Sequence, residues 1–355
     1  MNQLELPPSA SRALKGTREG GRASNQLSTQ NEARTRIVCL GGGTGLPVVL
    51  RGLGRRARPR EGDPGLALTA VVAMSDDGGS SGRLRRTRGL LPPGDIRNCL
   101  VALAFGHPAL KEIFQFRFGG SKGIAGHAVG NLLIAALAEL RGDFLEAVRV
   151  SGRLLGARGT VLPSTLEPVQ LVAELADETR LVGERKIASA HKQVRRISLR
   201  PRRPPPSQGV LEAIAQAELI TIGPGSLYSS VMPNLLVDGV AEALQRSRAL
   251  KVLVANLMTQ PGETDGMSAA DHVRAVVQHV GHVVDVVLIN RELPSDDAAE
   301  RYADQGALAV AYDRQALLDL GVVPLEVDLL RPGKKIRHDA GKLARVLLKL
   351  ARAGL

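Results

Sequence analysis

Five apolar runs rich in β-branched residues punctuate this chain: "RIVCL", "LALTAVVAM", "ELITI", "KVLVANL" and "VVDVVLIN". None alternates polar with apolar residues. A strand without alternation is buried on both faces, which is the signature of a parallel sheet covered by helices on both sides. "RIVCL" leads into "GGGTGLP" and an apolar helix, "ELITI" into "GPGSLYSS" and a helix near "LLVDGVAEAL". "LALTAVVAM" leads into the "SDDGG" loop, and "KVLVANL" into "MTQPGETDGM" and the helix "AADHVRAVVQHV". Strand, loop and helix in that order predict an α/β fold: a Rossmann-like, doubly wound, mostly parallel sheet.

Two stretches depart from the rhythm. Residues 92–156 read as a helical segment. Residues 158–208 read as a β-rich insertion, with "QLVAELADETRLVGE" as a hairpin about Asp177 and Glu178, closed by the proline-rich basic connector "RPRRPPP". Residues 1–35 carry Ser, Gly, Arg and Gln without periodicity, the pattern of a disordered extension. Residues 36–355 are then expected to form one nucleotide-binding domain.

The composition narrows the function. A formal charge of +12 invites a nucleic-acid reading, but aromatic residues make up only 2% and tryptophan is absent, so a stacking platform for bases is lacking. A coding bias toward arginine would give the same charge without a polyanion partner. The two cysteines, Cys39 and Cys99, suggest neither a disulfide framework nor a metal knuckle. No apolar run reaches the ~18 residues of a membrane span. The expectation is a cytoplasmic protein, away from membranes and not directed to nucleic acid.

Ligands of open parallel sheets bind beyond the carboxyl ends of the strands. Here the loops at those ends carry the distinctive chemistry. In "GGGTGLP", Gly42, Gly43, Thr44 and Gly45 let amides approach an anion, and Pro47 suits a first helical turn. It is neither a Walker loop nor a GxGxxG fingerprint. In "GPGSLYSS", Gly223, Gly225 and Ser226 repeat the arrangement, and Tyr228 adds a ring. Each loop alone could be a tight turn; the pair points to a diphosphate held between them.

In "SDDGGSSGRLRR", Asp76 and Asp77 could bind sugar hydroxyls, hold Mg²⁺ against phosphate, or form the turn, while Ser80 and Ser81 add hydroxyls. One or two of the arginines that follow could reach a ligand, the rest forming a solvated face. In "PPGDIRNCL", Asp95 reads as an N-cap, which leaves Arg97 and Asn98 unexplained. In "GHAVGN", His127 and Asn131 fall at i and i+4 of a predicted helix. No third His or Cys has zinc-like spacing. In "MTQPGETDGM", Asp265 could cap the next helix, whereas Thr259 and Gln260 read as ligand contacts; Asn256 precedes them.

Together "GGGTGL", "SDDGGSSGRLR", "PPGDIRNCLVAL", "GHAVGNLLIAAL", "IGPGSLYSSVMPNLLV" and "NLMTQPGETDGMSAADHV" closely resemble the bacterial gluconeogenesis factor family of the YvcK type. The likeness runs from about Arg36 to the C-terminus. It implies a regulatory protein that binds UDP-sugars, notably UDP-N-acetylglucosamine, and links carbon metabolism to cell-wall precursor synthesis and cell shape. It also implies contacts from a late tyrosine and arginine, matched here by Tyr302 and Arg337. The family looks related to the 2-phospho-L-lactate transferases, whose acidic loop is similar to "SDDGG". A metal-dependent transferase acting on a nucleotide-activated donor is therefore the alternative to a sensor without turnover. An enzyme of amino-sugar synthesis as partner, and a homodimer, are the further expectations.

Overall fold

The continuous apolar runs do become neighbouring parallel strands. The computed structural model describes residues 34–58, 65–333 and 335–353; residues 1–33 of the expected extension lie outside these. The described residues form ten strands: β1 (Thr35–Gly41), β2 (Leu66–Val72), β3 (Thr160–Pro163), β4 (Gln170–Leu175), β5 (Arg180–Val182), β6 (Val194–Arg200), β7 (Leu219–Ile222), β8 (Leu250–Val254), β9 (Val286–Asn290) and β10 (Val323–Val327). Seven of them make one sheet in the order β10-β9-β8-β7-β1-β2-β3, and every neighbouring pair in it is parallel. The chain winds outward from β1 through β2 to β3, then returns to β7 on the other side of β1 and winds outward again. The switch point is the gap between β1 and β7.

Burial explains why the middle strands carried no alternation. Ile37, Val38, Cys39 and Leu40 of β1 are at most 2% exposed, as are Leu219, Ile220 and Ile222 of β7. Each such side chain contributes about 1.5–3 kcal/mol of hydrophobic burial. The helix Leu46–Gly54 covers one face and packs against the last helix, Ala340–Arg352. The two approach so closely that a Cβ on Gly52 would lie 2.1 Å from the Ala340 carbonyl oxygen.

The two strands of the large sheet that the sequence pattern did not mark are its edges. β10 contains Pro324 and β3 ends on Pro163. An edge strand tolerates a residue that cannot donate to the ladder, so these segments look less like strands in sequence. β3 falls within the stretch that reads as the β-rich insertion, but it pairs with β2. The small antiparallel sheet is thus β5-β4-β6, Gln170 to Arg200, with the expected hairpin between β4 and β5. The helical segment is as expected: Gly94–Leu103, Pro108–Gln115, Val129–Arg141 and Phe144–Leu154.

The "GPGSLYSS" loop runs into a single π-helical turn, Leu227–Val231, and a short α-helix, Met232–Leu235. The helix expected near "LLVDGVAEAL" starts only at Val240, after Gly239 at φ +72°. No helix among the described residues is long and apolar enough to cross a membrane.

Candidate functional site

Parallel pairing sends the carboxyl ends of all seven strands to one rim, and the glycine-rich loops after β1 and β7 leave it side by side. They touch through their backbones. A Cβ on Gly45 would lie 2.1 Å from the carbonyl oxygen of Pro224 and 3.0 Å from the amide nitrogen of Gly225. Only glycine permits that approach. Asn256, just past β8, locks the second loop from the far side: its Oδ1 accepts the Gly225 N–H at 3.1 Å and its Nδ2 donates to the Gly225 carbonyl at 2.9 Å. Asn234 Nδ2 donates to the Gly41 carbonyl at 3.0 Å and the Ser230 carbonyl at 2.8 Å, tying the π-helical turn to the end of β1.

Above this floor lies a cleft of about 430 Å³, within the usual range for small-ligand sites. Its base is Gly43, Thr44, Gly45, Pro224, Gly225 and Ser226; one wall is Asn256, Thr259 and Gln260; the other carries Tyr302, Ile336, Arg337 and His338. Ten residues singled out from the sequence therefore meet in one cavity, although Gly43 and Arg337 lie almost three hundred positions apart.

Gly42, Gly223 and Tyr228 do not line it. A Cβ on Gly42 would press on Asp95 Oδ2 at 2.9 Å, and Gly223 turns the chain at φ +74°. The expectation that Tyr228 offers a stacking ring is corrected: the side chain is buried in the core, with its ring 6.5 Å from that of His279. The chain enters the π-helical turn after Ser226 and carries Tyr228 inward, leaving Tyr302 as the aromatic residue of the cleft. The Thr259 hydroxyl accepts the Leu308 N–H at 2.9 Å, which leaves its own proton to donate. The buried Oε1 of Gln260 has no partner. Gln305 and Met258 line the cleft without a sequence signal of their own, beyond Gln305 following Tyr302 by three positions.

The second expected group gathers beside the cleft, toward β2. His127 and Asn131 meet, but not through helical spacing, because the helix starts only at Val129. Ser80 brings them together: its hydroxyl lies 2.9 Å from His127 Nδ1 and accepts from Asn131 Nδ2 at 3.0 Å. Ser81 Oγ accepts the Gly94 N–H at 3.1 Å. Asp76 Oδ1 accepts the Gly78 N–H at 2.8 Å, closing the turn. Arg97 donates through Nη2 to Asn98 Oδ1 at 2.6 Å, while its buried Nε and Nη1 have no partner. Within the arginine run, Arg83 donates to the Ala125 carbonyl at 2.7 Å, whereas Arg86 and Arg88 are exposed.

Two capping assignments are corrected. Asp95 lies inside the first turn of its helix, whose N-cap is Pro93. Its Oδ2 instead accepts the Gly43 N–H at 2.6 Å, so it couples the β1 loop to the acidic group. Asp265 accepts the Gly262 N–H at 2.7 Å, while Ser268 caps the following helix with Asp271 in a capping box.

Carboxylates crowd this side. Burial pushes Asp95 up to about 6, with the charge of Asp76 adding to it and the Gly43 hydrogen bond opposing. Glu184, which no sequence pattern flagged, is pushed up to about 8 by burial first and then by Asp76, Asp95, Glu263 and Asp77. It reaches the rim because the small sheet folds over it: Asp77 Oδ1 accepts the Arg185 N–H at 3.3 Å, and a Cβ on Gly183 would sit 2.5 Å from Asp77 Oδ2. Among the described residues no three His, Cys, Asp or Glu side chains form a metal-binding set. Asp76 and Asp77 offer at most a carboxylate pair, which Mg²⁺ accepts when phosphate and water supply its other ligands.

A family model described as 2-phospho-L-lactate transferase CofD matches residues 37–330, which include the acidic group and the cleft apart from Ile336, Arg337 and His338. The gluconeogenesis factor of Halalkalibacterium halodurans is 43% identical, over 88% of this chain and 95% of its own. That of Bacillus subtilis is 40% identical, over 89% and 98%. The chain belongs to the gluconeogenesis factor family, within the wider CofD group. A Nostoc relative named as a putative gluconeogenesis factor is 45% identical over 88% of this chain and 68% of its own length. A crystal structure of a Bacillus halodurans protein superposes with a TM-score of 0.85 at 42% identity, covering 89% of this chain and all of that one. The α/β architecture is thus shared with a solved structure.

Proposed function

We propose that the cleft binds a nucleotide sugar, UDP-N-acetylglucosamine, as a regulatory ligand, and that the bound state links carbon metabolism to cell-wall precursor synthesis and cell shape. The observation that carries this reading is the contact of two glycine-rich loops at the switch point, which sets the backbone amides of Thr44, Gly45 and Ser226 at the floor of one cavity while those of Gly43 and Gly225 are held by Asp95 and Asn256. A diphosphate is a group that such amides, Ser226 and the Arg337 guanidinium can all serve. Tyr302 offers a face to the base. The acidic and amide side chains toward β2, Asp76, Asp77 and Asn98 among them, suit sugar hydroxyls.

The test is calorimetric titration with UDP-N-acetylglucosamine. Arg337→Ala removes a charge-assisted contact worth ~1.5–3 kcal/mol, so affinity is expected to fall roughly ten- to a hundredfold. Absence of both heat and thermal shift with every UDP-sugar tried would reject the reading. The signal would pass through a partner, an enzyme of amino-sugar synthesis, and the protein would act in the cytoplasm; a pull-down indifferent to the nucleotide sugar counts against the first. A homodimer is the expected assembly, and sedimentation checks it.

The match to the transferase family favours a second reading, a phospholactyl-type transferase using a nucleotide-activated donor. In that case Asp76 and Asp77 would hold Mg²⁺, which would neutralise phosphate charge. The loop amides and Arg337 would orient the donor's diphosphate, and Asp95 would hold the β1 loop in place. Product formation from an activated donor and a deazaflavin acceptor, abolished by Asp77→Asn, would establish the enzyme.

A further inference from the structure

Across the helix Leu46–Gly54 from the main cleft lies a second cavity, of about 210 Å³. The two cavities share Thr44, Val48 and Arg337 on their walls. The second is lined by three cations, Arg51, Lys111 and Arg337, together with the amides of Asn98 and Gln115, and by no carboxylate. None of the three cationic side chains has an ion pair or a hydrogen bond to a described residue. The field is not diluted from behind either: Arg331, Arg337 and Arg55 all repel the charge on Arg51, which burial already lowers from its ordinary range.

Three like charges gathered around one concave space are unfavourable for the protein alone. Some cations elsewhere find carboxylates: Arg203 reaches Asp238 at 2.6 Å and Lys192 reaches Asp177 at 2.6 Å. Here the fold leaves the charges facing a cavity. Two guanidinium forks and an ammonium match the oxygens of a phosphate, and the amides can meet a neighbouring hydroxyl.

We propose that this cavity is a second binding site, for a small phosphate monoester that occupies it separately from the nucleotide cleft. The assignment rests on the nucleotide-sugar reading only in that Arg337 stands between the two. Because a dianion in the second cavity and a diphosphate in the first draw on the same guanidinium, a phosphorylated metabolite would report to the nucleotide site through one side chain.

The experiment titrates inorganic phosphate into the full-length protein at constant ionic strength, followed by phosphorus NMR line broadening. It compares wild type with Arg51→Gln/Lys111→Gln. Both positions are at the surface, and unchanged thermal midpoints show that the variant folds. Saturable binding that weakens about tenfold or more in the variant is expected, with UDP-N-acetylglucosamine affinity changed by less than about threefold. Equal phosphate binding by the two proteins would overturn the proposal. So would a parallel loss of phosphate and nucleotide-sugar binding, which would make the cavity part of the cleft. If phosphate binds as expected while no UDP-sugar binds at all, the second site stands and the proposed function falls.

Discussion

Replacing Gly45 by alanine tests the contact on which the cleft is built. The new methyl carbon would start 2.1 Å from the Pro224 oxygen and 2.6 Å from its carbonyl carbon, both backbone atoms. Real contacts of this kind do not fall below 3.0 Å, so the two loops must part by about 0.9 Å. Neither loop can yield freely: the first starts the helix Leu46–Gly54, and the second is held by both hydrogen bonds of Asn256. Overpacking of this size costs ~1–3 kcal/mol. The same displacement moves the two loops of the proposed diphosphate site apart, and affinity for UDP-N-acetylglucosamine is expected to fall by roughly tenfold or more. Gly89→Ala is the control. That glycine has φ +67° with open space around it, so alanine there costs backbone strain of ~1 kcal/mol but leaves the cleft intact. Urea denaturation and calorimetry on both variants give the two readouts. Wild-type stability and wild-type affinity in Gly45→Ala would refute the idea that the loops touch at this point.

Two further outcomes follow from the acidic side of the site. Glu184 and Asp95 titrate higher in the folded chain, at about 8 and about 6, than carboxylates do when unfolded. For a raised carboxylate, stability is fully present below the unfolded pKa and is lost as pH rises through the folded one. Stability is therefore expected to fall between about pH 4.5 and 8, and Glu184→Gln to flatten that fall by an amount of order a few kcal/mol, measured as denaturation midpoints across the range. Ser80→Ala leaves Asn131, whose Oδ1 already lacks a partner, with a buried unpaired amide and frees the His127 ring. A loss of ~1–3 kcal/mol is expected by chemical denaturation, and a neutral result would show that water replaces the hydroxyl.

The sequence by itself determined the strands that are buried on both faces, the glycine-rich loops that follow them, and the helix Ala269–Val280 to the residue. These are local decisions: apolar runs without alternation, and glycine where backbone must turn sharply or come close. It also carried the motifs that place the chain in its family. What only the tertiary structure decided was company. Parallel pairing brings Gly43, Gly225 and Asn256 to one rim, the chain after β9 and β10 adds Tyr302 and Arg337 to the cleft, and a π-helical turn removes Tyr228 from it. Asp95 reads as a cap in one dimension, yet bonds the loop of another element. Glu184 gains its place because a small sheet, distant in sequence from "SDDGG", folds back over the rim. Spacing along a chain encodes what neighbours in one element share, whereas a charge or a cavity depends on which elements the sheet order sets side by side.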